Sequence, residues 1–159
     1  MDSSRQQLTY SEALEKACDL CSRSEKCCFD LEQKCREWQL SAEETSRLID
    51  YLLQEKFIDH QRYATSFVND KFRFNKWGKI KLVYALRQKQ LEDKCIREAI
   101  SIIQEDVYRK VLRELLSAKA KTIKEKDPYI CRNKLISFVQ SRGFEVDEAL
   151  RIMDEIWEF

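Results

Sequence analysis

Seven cysteines and one histidine are the residues of this 159-residue chain best suited to metal or nucleophile chemistry. Cys18-x-x-Cys21, followed by Cys27 and Cys28, supplies part of the ligand set that a structural zinc site takes from two pairs at defined spacing. The first pair, however, lies in a helical pattern and shares one face with Leu14, and Cys35 falls at a position that is Leu86 and Val139 elsewhere in the chain. Small core thiols are the expectation, with no metal and no cofactor. A redox C-x-x-C would need a strand-helix context, which is absent here. His60 follows Asp59 in the first turn of an expected helix and reads as a solvated residue, with no Ser-His-Asp or Cys-His arrangement around it. Gly78 and Gly143 stand alone, so there is no glycine-rich phosphate loop. Acid pairs such as Glu43/Glu44 and Asp154/Glu155 read as solvated helix faces. The chain is expected not to be an enzyme.

Charge is more informative. Overall the chain is nearly neutral at +1, so attraction to a polyanion must come from a local patch. Between Lys71 and Arg97 nine basic residues stand against only Glu92 and Asp93. Phe72, Phe74 and Trp77 are interleaved with them, the combination a phosphate-contacting surface needs. Arg73, Lys76, Lys79, Lys81, Arg87, Lys89 and Lys94 are therefore the candidate contact residues, while Phe67 and Tyr84 read as core. The last helical stretch is the reverse, with Glu145, Asp147, Glu148, Asp154, Glu155 and Glu158 against Arg151.

The elements that position these residues repeat. The stretch Asn75 to Leu91 reads as an amphipathic helix, with Ile80, Leu82, Val83, Tyr84 and Leu86 on one broad arc and Lys81 and Lys89 outside it. Leu82, Leu86 and Leu91 are spaced four and then five apart, as are Leu31, Cys35 and Leu40, and Leu135, Val139 and Phe144. Each set runs into a second helical stretch, and these align without gaps so that Leu48, Ala99 and Ile152 coincide. A repeat of this length fixes the architecture: three tandem three-helix repeats, over residues 1–56, 57–104 and 105–159.

Residues 1–8 are polar and expected to fray. Helices are expected from about Thr9 to Ser22, from a Ser24 cap to Trp38, and from the Ser41/Glu44 capping box to Glu55. Asp59 is the expected cap of a helix to Phe72 that buries Tyr63, Ala64, Phe67 and Val68. Further helices follow from Glu92 to Ile103 and from Asp106 to Lys124, the latter with Val107, Val111, Leu112, Leu115 and Leu116 inward. Asp127-Pro128 restarts the chain, Gly143 ends that helix, and a last one runs to Trp157. Two glycines and one proline leave little for hairpins, so the class is all-α. No apolar run suits a signal peptide or a membrane span, and unexported thiols fit a cytoplasmic, reduced setting.

Phe57-Ile58-Asp59-His60-Gln61-Arg62-Tyr63-Ala64, then Gly78-Lys79-Ile80, then Leu86-x-x-Lys89-Gln90-Leu91 resembles the central signature of the RecX family, bacterial regulatory proteins of the RecA recombinase. Ser24 to Leu40 looks like that family's first repeat, and Lys134-Leu135 to Arg142-Gly143-Phe144 like its third. The sequence departs from the pattern where the family often has an acidic residue (here His60), a glutamate (here Ala85) and glycines (here Gln39 and Gln90). The resemblance marks Asp59, Arg62, Tyr63, Ala64, Gly78 and Leu86 as signature positions. It implies a curved, elongated array of helical repeats. It also implies a non-enzymatic monomer that lies along the RecA–single-stranded-DNA filament and limits its growth, strand exchange and ATP hydrolysis in DNA repair and recombination. The alternative is a helical nucleic-acid-binding module that acts without RecA, since the second and third helices of each repeat resemble a helix-turn-helix.

Overall fold

The structure is a computed structural model that describes residues 7–157. Among the described residues it contains nine helices and no strand: α1 (Tyr10–Arg23), α2 (Cys28–Glu37), α3 (Ala42–Gln54), α4 (His60–Asn75), α5 (Lys79–Gln88), α6 (Asp93–Ile100), α7 (Glu105–Ala120), α8 (Pro128–Ser141) and α9 (Val146–Ile156). They pack as tandem triplets: α1 and α2 on α3, α4 on α5 and α6, α7 on α8 and α9. The expected fraying of residues 1–8 falls mostly outside the described residues, but Leu8 is docked, its N–H donating to Trp38 O at 3.2 Å and its side chain packing on the first core.

Local signals set most helix starts. Ser41 Oγ accepts from Glu44 N and Glu44 Oε1 accepts from Ser41 N, both at 3.1 Å, which closes the capping box. Asp59 accepts from Arg62 N at 2.9 Å and Asp127 from Tyr129 N at 2.9 Å, with Pro128 at the first helical position. Ser24 does not cap α2. It ends α1, its N–H donating to Leu20 O, and α2 starts only at Cys28. The acceptors at the α2 N-terminus come from elsewhere: Asp30 Oδ2 takes Cys27 N–H at 3.4 Å and His60 Nε2 takes Cys28 N–H at 3.1 Å. His60 is therefore not merely solvated. It holds the second repeat to the first, as an acidic side chain in its place also would by accepting the same N–H.

Helix α5 starts at Lys79, not Asn75, and buries only Leu82 and Leu86 fully. Ile80 and Tyr84 are 56% and 65% exposed. Each lies two positions, about 200°, from a buried leucine, which puts it on the opposite face. Helix α7 stops four residues short of Lys124 because Thr122 N–H and its hydroxyl both turn back to Lys119 O. Its buried stripe is Tyr108, Leu112 and Leu116, with Val111 and Leu115 partly covered and Val107 exposed. Tyr108 is tolerated inside because its hydroxyl donates to Glu145 Oε2 at 2.7 Å and accepts Lys79 N–H at 3.0 Å.

The four-then-five spacing marks one turn used three times. Gln39, Gln90 and Gly143 take left-handed φ values of 58°, 61° and 86°. The next residue's N–H reaches back five positions: Leu40 to Cys35 O (3.0 Å), Leu91 to Leu86 O (3.4 Å) and Phe144 to Val139 O (3.0 Å). This is a Schellman closure with its apolar contact.

The two joints between repeats differ in chemistry. At the first, Cys27 is buried among second-repeat residues. Arg62 Nε meets Glu25 Oε1 at 2.5 Å, and Lys89 Nζ meets Asp30 Oδ1 at 2.7 Å over the Phe29 ring. At the second, backbone meets backbone. Gly78 N–H donates to Arg142 O at 2.7 Å and Ile80 N–H to Gly143 O at 3.0 Å. A Cβ on Gly78 would collide with the Gly143 carbonyl, and one on Gly143 with Lys81. One continuous core runs through the second and third repeats, while the first has its own.

Two stability tests follow from these turns and joints. Gly143→Ala should cost more than about 2 kcal/mol, since it adds a clash with Lys81 to a left-handed φ. Gln90→Gly should stabilise by about 0.5–1 kcal/mol, because only the φ cost is relieved there. Urea unfolding of both variants checks the opposite signs. The second test concerns Asp30. Burial alone would raise its carboxyl, but the Lys89 ammonium and the Cys27 groups outweigh that and hold it below the usual carboxylate value. Its contribution is then complete above the unfolded-state value and is lost as pH falls through the lower folded one. Asp30→Asn should cost roughly 1–2 kcal/mol at neutral pH. The gap to wild type should close below about pH 4; a gap that persists unchanged at pH 2.5 would contradict the ion pair.

Candidate interaction surface

Helices α4, α5 and α6 distribute the seven candidate basic residues into three groups. Lys79 and Lys89 are struts. Lys79 Nζ pairs with Glu105 at 2.5 Å and sits 4.5 Å over the Tyr108 ring, and Lys89 is held by Asp30. Both are more enclosed than their helical positions suggested, because the charge that meets them comes from a neighbouring repeat. Arg87 and Lys94 are exposed at the far end, where Arg87 Nε lies 3.6 Å from Asp93.

Arg73, Lys76 and Lys81 gather with Lys71 at the corner where α4 gives way to α5. Lys76 caps α4 in the left-handed region at φ 55°, which turns the chain sharply enough to bring Trp77 back over Phe67, ring centroids 6.1 Å apart. Lys71 and Lys81 lie 5.1 and 4.5 Å from the centroid of the Trp77 ring. Two ammonium groups thus share one indole, and among the described residues neither has a carboxylate partner. Such a site is short of negative charge and has an aromatic floor. Phe74, 77% exposed, projects beside it under Arg73, and Ile80 and Tyr84 continue an uncovered apolar stripe along the outer face of α5. Reading Tyr84 as core missed this stripe; the signal was its four-residue spacing from Ile80, out of phase with Leu82 and Leu86.

The signature positions are structural. Asp59 caps α4, and Arg62 ties the α3–α4 connection by donating to Lys56 O (3.0 Å) and Phe57 O (3.3 Å) while it holds Glu25. Tyr63, Ala64 and Leu86 are core, and Gly78 makes the second joint. Burial pushes the Tyr63 hydroxyl up, so it stays neutral.

Burial also pushes up the Cys18, Cys21, Cys27 and Cys28 thiols, Cys21 and Cys27 to about 11. Thiols so raised are poor thiolate ligands and poor nucleophiles at neutral pH. No three His, Cys, Asp or Glu side chains among the described residues are grouped to hold a metal. None of the described helices is long and apolar enough to cross a membrane. The acidic last helix is largely answered within its own repeat: Glu155 takes Arg109 (2.8 Å) and Arg113, and Glu148 takes Arg151 (3.0 Å). The Arg109 and Arg113 hydrogen bonds hold the Glu155 carboxyl below its usual value.

One basic concentration escaped the sequence reading. Lys119, Lys121, Lys124, Lys126, Arg132 and Lys134 stand against Glu125 and Asp127, and Lys119, Lys124 and Lys134 line a groove of about 730 Å³ between the end of α7 and α8. Its signal in the sequence is six basic residues against two acidic ones over sixteen positions.

Comparison with known proteins agrees with this architecture. A sequence model described as "RecX, second three-helix domain" matches residues 59–100. The chain is 28% identical over 152 residues to "Regulatory protein RecX" of Clostridium acetobutylicum, covering 93% of this chain and 70% of that one. It is 30% identical over 119 residues to the protein of the same name from Clostridium botulinum strain Alaska E43, covering 74% of this chain and 55% of that one. The match to the Clostridium tetani protein of that name also spans about half of the relative, 51%. Two crystal structures share the fold at 19% identity. One is of a regulatory protein RecX, with TM-score 0.84 and coverage of 91% of this chain and 73% of that one; the other is of RecX from Lactobacillus salivarius, with TM-score 0.82 and coverage of 92% and 96%. The central triplet is matched by the RecX family's own domain, most of the chain is similar to proteins named regulatory protein RecX, and the fold is that of two RecX crystal structures, findings that together support the RecX family.

Proposed function

We propose that this protein is a non-enzymatic regulator that binds the RecA–single-stranded-DNA filament as a monomer and restrains recombination and ATP hydrolysis. The observation that carries the reading is the exposure of three large apolar side chains of the central repeat, Phe74, Ile80 and Tyr84, in a segment that also bears Arg73, Lys76, Lys81 and Arg87. An exposed aromatic and aliphatic core with a cationic rim is the make-up of an interface hot spot for an acidic or nucleic-acid-bearing partner. Lys79 and Lys89 serve this surface indirectly, by fixing the second repeat against its neighbours; Lys94 extends its basic edge. Lys76 and Arg73 supply steering charge, and the apolar stripe supplies residence time.

The second reading, a nucleic-acid-binding module independent of RecA, draws on the Lys71–Trp77–Lys81 stack, whose chemistry would also suit a bare strand. The two separate on a coated strand against a naked one.

Arg73→Glu/Lys76→Glu should leave the fold intact, because exposed substitutions shift stability by less than about 0.5 kcal/mol. It should weaken inhibition of recombinase ATP hydrolysis at least about ten-fold at low salt, or about 1.4 kcal/mol. Tyr84→Ala should lose a similar amount with little change in salt dependence. Inhibition by both variants equal to wild type at matched low salt would refute the assignment of this face. Loss of naked-strand binding with filament inhibition unchanged would favour the second reading.

A further inference from the structure

The cationic-aromatic corner does not end at the second repeat. The glycine joint sets Gly143 against Lys81, so the next side chain, Arg142, lies beside the corner and donates from Nη1 to Asn75 O at 3.2 Å. The Arg142 guanidinium lies 5.5 Å from the centroid of Phe138, and Lys119 Nζ lies 5.2 Å from the same ring. Phe138 in turn lines the α7–α8 groove with Ile123, Lys124 and Lys134. Contact by contact, the path runs from Lys71 over Trp77 to Lys81, across the joint to Arg142, over Phe138 to Lys119, and into the groove. Each of its two aromatic rings carries two cations. Among the described residues, no carboxylate forms an ion pair with Lys71, Lys81, Lys119, Lys124 or Lys134.

We propose that this path is a track for one single strand of nucleic acid, with the third repeat's α7–α8 groove as its second half. Three features favour a strand over an acidic protein surface. The cations alternate with flat rings, and a single strand alternates phosphates with bases that stack on such rings. The cations are mainly lysines, compact charges that follow a mobile phosphate backbone, whereas planar carboxylate pairing favours arginine. The groove is open, so a strand enters from the side without threading. The rigid backbone joint holds the two halves in fixed register, so that both contribute to one site. This goes beyond the filament-binding reading, which needs only the central repeat, and requires no recombinase.

The test is fluorescence polarisation of an end-labelled oligothymidylate with the full chain and no recombinase, over a salt series. Lys124→Gln/Lys134→Gln alters two exposed side chains that make no ion pair, and its helicity is checked by circular dichroism. Loss of two phosphate contacts should weaken binding about ten-fold or more at low salt. The slope of log affinity against log salt should become shallower by about 1.4, at roughly 0.7 per contact on a single strand. Equal affinity and slope for wild type and variant would overturn the proposal. So would a defect seen only on a recombinase-coated strand, which would assign the groove to an acidic protein surface. Because the oligonucleotide is naked, failure here leaves the ATP-hydrolysis test of the central face standing, and failure of that test leaves this one standing.

Discussion

The meeting of Gly78 and Gly143 is the constraint on which the rest of the molecule depends. These are the only two glycines in the chain, and both are used at one contact. Glycine costs conformational entropy wherever it sits, so its use is justified only where a side chain would be excluded. Here the exclusion is mutual, and the gain is electrostatic as well as steric. The N-terminus of α5 has no side-chain cap; its first N–H groups are satisfied by Arg142 O, by Tyr108 and by Gly143 O. A helix N-terminus with partial positive charge is thus seated on the carbonyl-rich end of α8. The joint caps two helices at once, which is why it can be so close.

The same turn at Gln39 and Gln90 shows what the joint adds. All three positions need a left-handed residue to close the second helix of a triplet and drop the following apolar side chain into the core. At two of them glutamine bears the φ at a cost of about 1 kcal/mol. Only at Gly143 does a neighbouring repeat occupy the space of a Cβ. The repeat is conformational first, and side-chain identity follows from what each copy must dock.

What the sequence made legible was local. Capping boxes, Asp59, Asp127-Pro128 and the four-then-five apolar spacing act within a turn or two, so helix identity, the all-α class and the tandem triplets could be read directly. The misreadings share a different origin. Ser24 had the right chemistry for a cap, but His60, thirty-two residues beyond Cys28, supplied an acceptor at the start of α2. Lys79 and Lys89 looked like surface charges until Glu105 and Asp30 met them across repeat boundaries. Ile80 and Tyr84 were placed inward because hydrophobicity was weighed above phase. Charge partners and covering surfaces set by tertiary approach are not written in any window of the sequence, whereas the basic corner itself was, since Lys71 to Lys81 share one short segment.

The two joints, unlike in chemistry, respond differently to salt. The first relies on ion pairs between partly exposed groups, Arg62 with Glu25 and Lys89 with Asp30, beside the buried Cys27 and the His60 acceptor. Pairs of that kind weaken as salt screens them. The second relies on backbone hydrogen bonds and a shared apolar core, which salt of the same range leaves nearly untouched. Added salt therefore acts on the protein twice: it screens the surface cations directly, and it loosens the first repeat relative to the second. The α7–α8 groove and the Lys81 side of the corner lie on the insensitive side of that division, whereas Lys71 also lines the cleft against the first repeat. A salt dependence arising from their lysines reports counterion release from a fixed surface, while one arising from Glu25, Asp30, Arg62 or Lys89 reports reorientation of the first repeat.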